Sequence, residues 1–208
     1  MTVLPTNASL ALFPLQTVLF PGGVLNLKVF EARYLDLIAA CLRNQAPFGV
    51  ICLAQGTEVG ASPKGVRIEG TGVLARIDEV DSEQQGILRV RCTGTQRFQL
   101  TDDPVQRADG LWTAPVQTLA DDPTCAPVQA MRGTVDALLQ AAASLREQGG
   151  LPFAEPMQLD DAGWVANRWC ELLPISLAAK QKLMELNDPA LRLQLVDDFL
   201  RSKRVVKG

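Results

Sequence analysis

The chain is predicted to be an α+β protein: a β-rich first part holding one helix, followed by an all-helical second part. Three observations predict it. Short apolar runs that alternate every second residue, set off by Gly, Pro and Asp, fill the first part. After residue 120 the apolar spacing switches to steps of three and four. Between the two regimes lies "ADDPTCAP" (120–127), a Pro-punctuated acidic stretch that places the domains at 1–119 and 120–208. Segregation of strands from helices argues against a wound α/β fold.

"SLALF" and "VLNLKV" (24–29) read as strands, the second alternating Leu25, Leu27 and Val29 against Val24, Asn26 and Lys28. "EARYLDLIAACLRN" switches to helical spacing, with Tyr34, Ile38, Cys41 and Leu42 as its apolar stripe. "PFGVICLA" (47–54) is a continuous apolar run, as in a strand buried on both faces. A loop over 55–65 follows. Three strands come next, "GTGVLARIDEV", "GILRVRCTG" and "TQRFQLT", and Asp109-Gly110 opens a last one, "DGLWTAPVQTL".

In the second part, Val128, Met131, Val135, Leu138, Ala142 and Leu145 mark a helix that stops at Gly149-Gly150. Asp160 or Asp161 caps the next helix, and Leu173-Pro174 lies just past its end. Ser176 caps "LAAKQKLMELN". Asp188-Pro189 starts the last helix, whose stripe is Leu191, Leu195, Val196, Phe199 and Leu200. The basic tail "RSKRVVKG" is expected to fray.

Composition removes several function classes. The formal net charge is −3, which provides no global field for nucleic acid or anionic lipid. No apolar run approaches the roughly 20 residues of a membrane span. Pro5 and Pro14 interrupt any signal-peptide core, so a cytoplasmic protein is expected. The five cysteines show no C-x-x-C spacing and read as buried or incidental thiols. There is no histidine, which rules out Ser-His and Cys-His catalysis and imidazole-ligated zinc. Neither a catalytic set nor a metal site is expected, and no cofactor.

The remaining motifs have structural explanations. "GTGVLA" (70–75) matches G-x-G-x-x-A, but Val73, Ala75 and Ile77 continue as a strand where the dinucleotide fingerprint needs a helix. "GASPKG" lacks P-loop spacing. Ser176 and Lys180 stand four apart like a serine–lysine dyad, yet Ser176 occupies a cap position. Asp102-Asp103 and Asp121-Asp122 sit beside prolines as turn formers. A small hydrolase using carboxylates or Cys52 is the least supported class.

The stretch "LFPLQTVLFPGGVLNLKVFEARY" (12–34) carries the candidate contacts. Leu19, Phe20 and Pro21 flank a Gly-Gly turn and either form a contact surface or fold back to cover one end of the barrel. Glu31 falls in the first helical turn, where a carboxylate favours the dipole. Arg33 can pair with an acid across the junction, so Glu31, Arg33 and Tyr34 read as a structural latch, with Arg33 also a candidate ligand contact.

Together with "PFGVICL", "GTGVLARI", "LRVRCTGTQRF" and "LLPISLAAKQKLMELNDPALRLQLV", this stretch resembles the N-terminal substrate-binding domain of the Lon protease family, and most of all the short bacterial proteins made of that domain alone. The resemblance runs from about Leu10 to about Leu200. It departs from the family's usual pattern at Asn26 and Ala32, where proline is common, and near Lys28, where His or Arg is. It implies a PUA-like β pseudo-barrel with one inserted helix, then a C-terminal antiparallel helical bundle. It also implies a non-catalytic module for unfolded or exposed apolar polypeptide segments, or for a protease or chaperone partner, without nucleic acid or membrane. Peptide contacts are then expected at Leu19, Phe20, Pro21 and Arg33, gated by the loop 55–65. RNA binding through a PUA-like barrel is the alternative, with Arg89, Arg91 and Arg97 as its basic stripe.

Overall fold

Alternation in the first part becomes seven strands and one helix: β1 (Ser9–Leu15), β2 (Val24–Val29), α1 (Ala32–Asn44), β3 (Phe48–Gln55), β4 (Arg67–Gln84), β5 (Ile87–Leu100), β6 (Val105–Gln106) and β7 (Trp112–Thr118). The computed structural model describes residues 9–56, 65–148, 150 and 153–206. Most of the expected loop 55–65, and Gly149 of the expected Gly-Gly helix stop, lie outside them. The chain divides into two units, Met1–Ala120 and Asp121–Gly208.

In the first unit β1 runs parallel to β3 through Leu12–Leu15 and antiparallel to β7 through Ser9–Leu12. The parallel pair needs a crossover, which β2 and α1 supply. Pro14 falls in the part of β1 that only β3 flanks, a position where a missing N–H is tolerated. The sheet order is β2-β5-β4-β3-β1-β7-β6, and β5 pairs again with β7 through Phe98–Leu100. Five strands thus close on themselves as a pseudo-barrel, and β2 is added beside the first half of β5. Leu10, Leu12, Ile51, Leu74, Phe98, Ala114 and Val116 fill the interior.

Two of the three strands expected after the loop are one: β5 continues through Gly94 without a break. The glycine looks like a turn in the sequence but is required by a close approach. Phe20-Pro21-Gly22-Gly23 forms a type II turn, with Pro21 at its second position, Gly22 at φ 75° at its third, and the Gly23 amide donating to the Phe20 carbonyl at 2.9 Å. The turn leads into a bulge against β5: the Gly22 amide donates to the Gly94 carbonyl, and the Gly94 amide to the Gly23 carbonyl, each at 2.8 Å. A Cβ on Gly94 would stand 2.4 Å from the Phe20 carbonyl oxygen. Gly72, from the "GTGVLA" motif, lies within β4, where a Cβ would stand 2.5 Å from both the Phe98 ring and the Val50 carbonyl oxygen. The motif is a packing device.

Helix α1 buries Arg33, Tyr34, Leu37, Ile38 and Cys41. Leu42, expected on that stripe, is 49% exposed because the buried face is rotated toward Arg33 and Leu37. Tyr34 stacks on Phe13 at 3.9 Å. Glu31 sits at the N-cap but makes no cap bond; its carboxylate accepts from Arg33 Nη2 at 2.8 Å. Arg33 Nη1 donates to the Gly110 carbonyl at 2.9 Å, and the guanidinium lies 4.7 Å over the Tyr34 ring. Glu31, Arg33 and Tyr34 therefore tie the start of α1 to the turn before β7.

The second unit holds a 3-10 turn (Gln129–Met131), α2 (Arg132–Glu147), α3 (Ala162–Leu172), α4 (Leu177–Glu185) and α5 (Pro189–Ser202). Asp161, Ser176 and Asp188 cap α3, α4 and α5 as their sequence positions predict. Nine consecutive residues of α3, Ala162 to Cys170, are buried. The stripe expected on α5 packs only in part, through Val196 and Leu200. Leu193, Val196 and Leu200 are buried beside Arg192 and Asp197, while Leu191 and Leu195 face solvent. Apolar spacing alone rotated the rest of it, because two charged residues belong to the buried face. Every N–H group of Arg192 has an acceptor: Nε donates to Leu183, Nη1 to Asp122 and Asn167, and Nη2 to Asp122 and Leu186. Arg192 thus caps the carbonyl end of α4. The tail does not fray at once: Val205 N donates to Leu200 O at 3.0 Å and Val206 is buried.

Two predictions follow from this packing. Gly94→Ala destabilises the protein by at least ~2 kcal/mol in chemical denaturation, because backbone must move, whereas Gly70→Ala, with open space around it, is near neutral. Burial pushes the Cys41 and Cys52 thiols up to about 11 and those of Cys92 and Cys170 up to about 12. Cys125 is the half-buried one. Titration of the native protein at pH 8 with a chromogenic disulfide is expected to modify Cys125 alone, and all five thiols only after denaturation.

Candidate functional site

The first unit carries an open cleft of about 300 Å³. Its origin is the way β2 joins the sheet. Beyond Leu12 the pairing of β1 with β7 has ended, and among the described residues β2 pairs with β5 alone. The pseudo-barrel is closed where β5 meets β7 and leaves a seam between β2 and the second half of β1. Phe13, Leu15, Leu25, Leu27, Val29 and Tyr34 supply its apolar surface, and Phe30, 52% exposed, stands at its end. Thr17, Asn26, Lys28 and Glu31 supply its polar lining.

The backbone of β2 offers the second element. Gly23 and Gly94 are partners at a hydrogen-bonded position of the antiparallel pair. Such positions alternate, so Leu25, Leu27 and Val29 direct their N–H and C=O groups to β5. Those of Val24, Asn26 and Lys28 point away from β5, along the edge of the seam. An apolar trough beside an exposed strand edge can take an extended chain, with main-chain hydrogen bonds on one side and pockets for alternate side chains on the other.

Of the sequence-expected contacts, Leu19 and Phe20 are 6% and 0% exposed. They fold back under their own turn, the second of the two readings, and present no docking surface. Pro21 is half-buried at the turn. Arg33 is 8% exposed and engaged by Glu31 and Gly110, so it positions α1 beside the cleft. Tyr34 and Glu31 line the cleft as well as forming the latch. The cleft itself was missed. Its signal was present in the alternation of β2, but its exposed edge depends on which strand β2 pairs with.

No alternative chemistry is assembled at the candidates the sequence raised. Ser176 Oγ accepts from the Ala179 amide at 3.2 Å, and Lys180 Nζ donates to the Glu171 carbonyl at 2.9 Å, so the two have separate structural tasks. Cys52 is buried as a protonated thiol at neutral pH. Asp122 is held by Arg192, and Asp102 accepts from the Asp103 amide in its turn. In the second unit burial pushes the Glu171 carboxyl up to about 7, opposed by the Arg168 guanidinium 2.7 Å away. Arg168 also lies 5.5 Å over the Trp164 ring, inside the helical core. The three-arginine stripe is not formed: Arg97 is 3% exposed, and Arg91 pairs with Glu79 at 3.3 Å.

The sequence model of the ATP-dependent protease La (LON) substrate-binding domain matches residues 9–202. Lon protease 2 of Herpetosiphon aurantiacus is 27% identical over 192 residues, or 91% of this chain and 23% of that protein, so the chain spans under a quarter of that relative's length. A Lon N-terminal domain protein from Xanthomonas campestris superposes with a TM-score of 0.73 at 31% identity, covering 91% of this chain and 96% of its own. The N-terminal domain of the Mycobacterium avium complex Lon protease shares the fold, with a TM-score of 0.60 at 16% identity over 93% of this chain and 98% of that one. The α+β architecture expected from the sequence, a PUA-like pseudo-barrel with a helical part, is the Lon N-terminal domain fold. The chain belongs to the Lon substrate-binding domain family.

Proposed function

We propose that this chain is a non-catalytic polypeptide-binding module that holds an extended, apolar stretch of a client protein in the cleft beside β2. The observation that carries the reading is the coincidence of an apolar trough with outward-pointing backbone groups on one strand edge. Membership of a substrate-binding domain family supports it. Among the described residues no helix is long and apolar enough to cross a membrane.

Binding has two sources. Burial of client side chains against Phe13, Leu27 and Tyr34 removes apolar surface from water at about 25 cal/mol per Å². Each main-chain bond to β2 adds a net ~0.5–1.5 kcal/mol. Ordering a flexible client opposes both, which leaves dissociation constants of roughly micromolar or weaker. Clients are released when they fold or are passed to a protease or chaperone.

A fluorescent ten-residue peptide with alternating apolar residues tests the site. Asn26→Pro deletes an N–H that points away from β5 and so spares the β2–β5 ladder. It is expected to weaken binding about tenfold, the equivalent of one good hydrogen bond, with the melting temperature nearly unchanged. Phe30→Glu is expected to do the same, while Leu191→Glu on the exposed face of α5 leaves affinity unaltered. Loss of binding by Leu191→Glu with retention by the two β2-edge variants would move the site to the helical unit.

A further inference from the structure

We propose that the outer face of α1 is a self-association surface, on which a second copy of this chain packs its own α1 antiparallel. The surface uses none of the residues that line the cleft and is independent of the cleft reading.

Helix α1 is apolar on both sides. Its inner face buries Arg33, Tyr34, Leu37, Ile38 and Cys41. Its outer face carries Ala32, Leu35, Ala39 and Leu42; Ala32 and Leu42 are exposed, Leu35 and Ala39 half-buried. A surface helix that meets only its own core keeps the opposite face polar, so this second stripe is suited to a partner. Its residues recur every seven positions: Ala32 and Ala39, Leu35 and Leu42, and beside them Asp36 and Arg43, both exposed. That is the spacing of a helix–helix seam, with small and large side chains alternating along it and a charged flank.

Charge decides which helix the seam receives. Asp36 and Arg43 stand about two turns apart, roughly 10 Å along the axis, too far to pair with each other. Among the described residues neither has another ionic partner. A two-fold axis between Ala39 and Ala40 runs the second α1 antiparallel. It sets Asp36 level with Arg43 of the second copy, and Arg43 level with Asp36 of the second copy. The same operation brings Leu35 beside Leu42 of the second copy. It places the alanines at the crossing point, where small side chains let two helix axes approach to about 8 Å. A parallel pair would instead set Asp36 level with Asp36 and Arg43 level with Arg43. One axis thus yields two ion pairs and a closed apolar seam, as a self-complementary contact between identical copies requires. An unrelated apolar helix would fill the stripe and answer neither charge. The helix has 13 residues and is about 20 Å long. The contact is therefore smaller than a standard interface and weak, with a dissociation constant on the order of 0.1 mM.

Sedimentation equilibrium of the whole chain, from about 10 μM to about 1 mM, reads the association. The wild type is expected to pass from monomer to dimer over that range. Leu42→Glu is expected to keep it monomeric, while Leu191→Glu, the same change at an exposed leucine of α5, leaves the dimer intact. Asp36→Arg and Arg43→Asp each create two like-charge contacts and should each weaken dimerisation about tenfold. The double swap, Asp36→Arg with Arg43→Asp, keeps the net charge, reverses both pairs and should restore affinity to within about threefold of wild type. A wild type that stays monomeric throughout, a dimer that survives Leu42→Glu or is lost on Leu191→Glu, or a double swap no tighter than the single ones would overturn the proposal.

Discussion

The Phe20–Gly23 turn pinned to Gly94 is the constraint on which the proposed binding surface depends. Its two amide–carbonyl bonds fix the register of β2 on β5. Because side chains alternate, a slip of one residue would turn Leu25, Leu27 and Val29 to solvent and Asn26 and Lys28 inward. It would also exchange the backbone groups directed at β5 with those on the open edge. The apolar trough and the exposed hydrogen-bonding edge are two consequences of one register. The burial of Leu19 and Phe20 beneath the turn makes that register cooperative with the core, each large side chain contributing about 1.5–3 kcal/mol.

Buried charge in this protein serves scaffolding. Arg33 joins the N-terminal end of α1 to the Gly110 turn and stacks on the Tyr34 ring that stands in the cleft. Arg192 gathers Asp122, Asn167 and the carbonyl end of α4 within the helical unit. Asp197 accepts from Thr134 and Arg201 in the same unit. Removing one partner from such a set leaves the others desolvated and unsatisfied, which costs more than the set contributes as a whole. The residues with the densest ionic and hydrogen-bonded surroundings thus hold the scaffold together.

The order of elements and the three capped helix starts were legible in the sequence because local chemistry decides them: Asp161, Ser176 and Asp188 each precede a helix whose amides they accept. The lack of histidine removes only imidazole-dependent chemistry, namely Ser-His and Cys-His catalysis and His-ligated zinc. Where the expectation missed, a distant partner had the last word. Gly94 resembled a strand break because the Phe20 carbonyl that excludes a side chain there is far along the chain. The α5 stripe was right at Val196 and Leu200 and wrong at Leu191 and Leu195, because Arg192 and Asp197 are buried by partners on other segments. Phe20 and Arg33 each admitted two sequence readings, surface contact or structural role, and the core that claims them is assembled from distant β5 and the Gly110 turn. The cleft is nonlocal in the same sense: β2 is plainly a strand, yet its unshared edge is a property of the whole sheet.

Residue-resolved amide hydrogen exchange, with and without saturating extended peptide, addresses the central claim most directly. In the free protein the amides of Leu25 and Leu27, bonded to β5, should exchange slowly, and those of Val24 and Asn26 quickly. Peptide should slow Val24 and Asn26 markedly and leave the helical unit unchanged. Protection confined to α2–α5, with Val24 and Asn26 still fast in the bound state, would contradict the account.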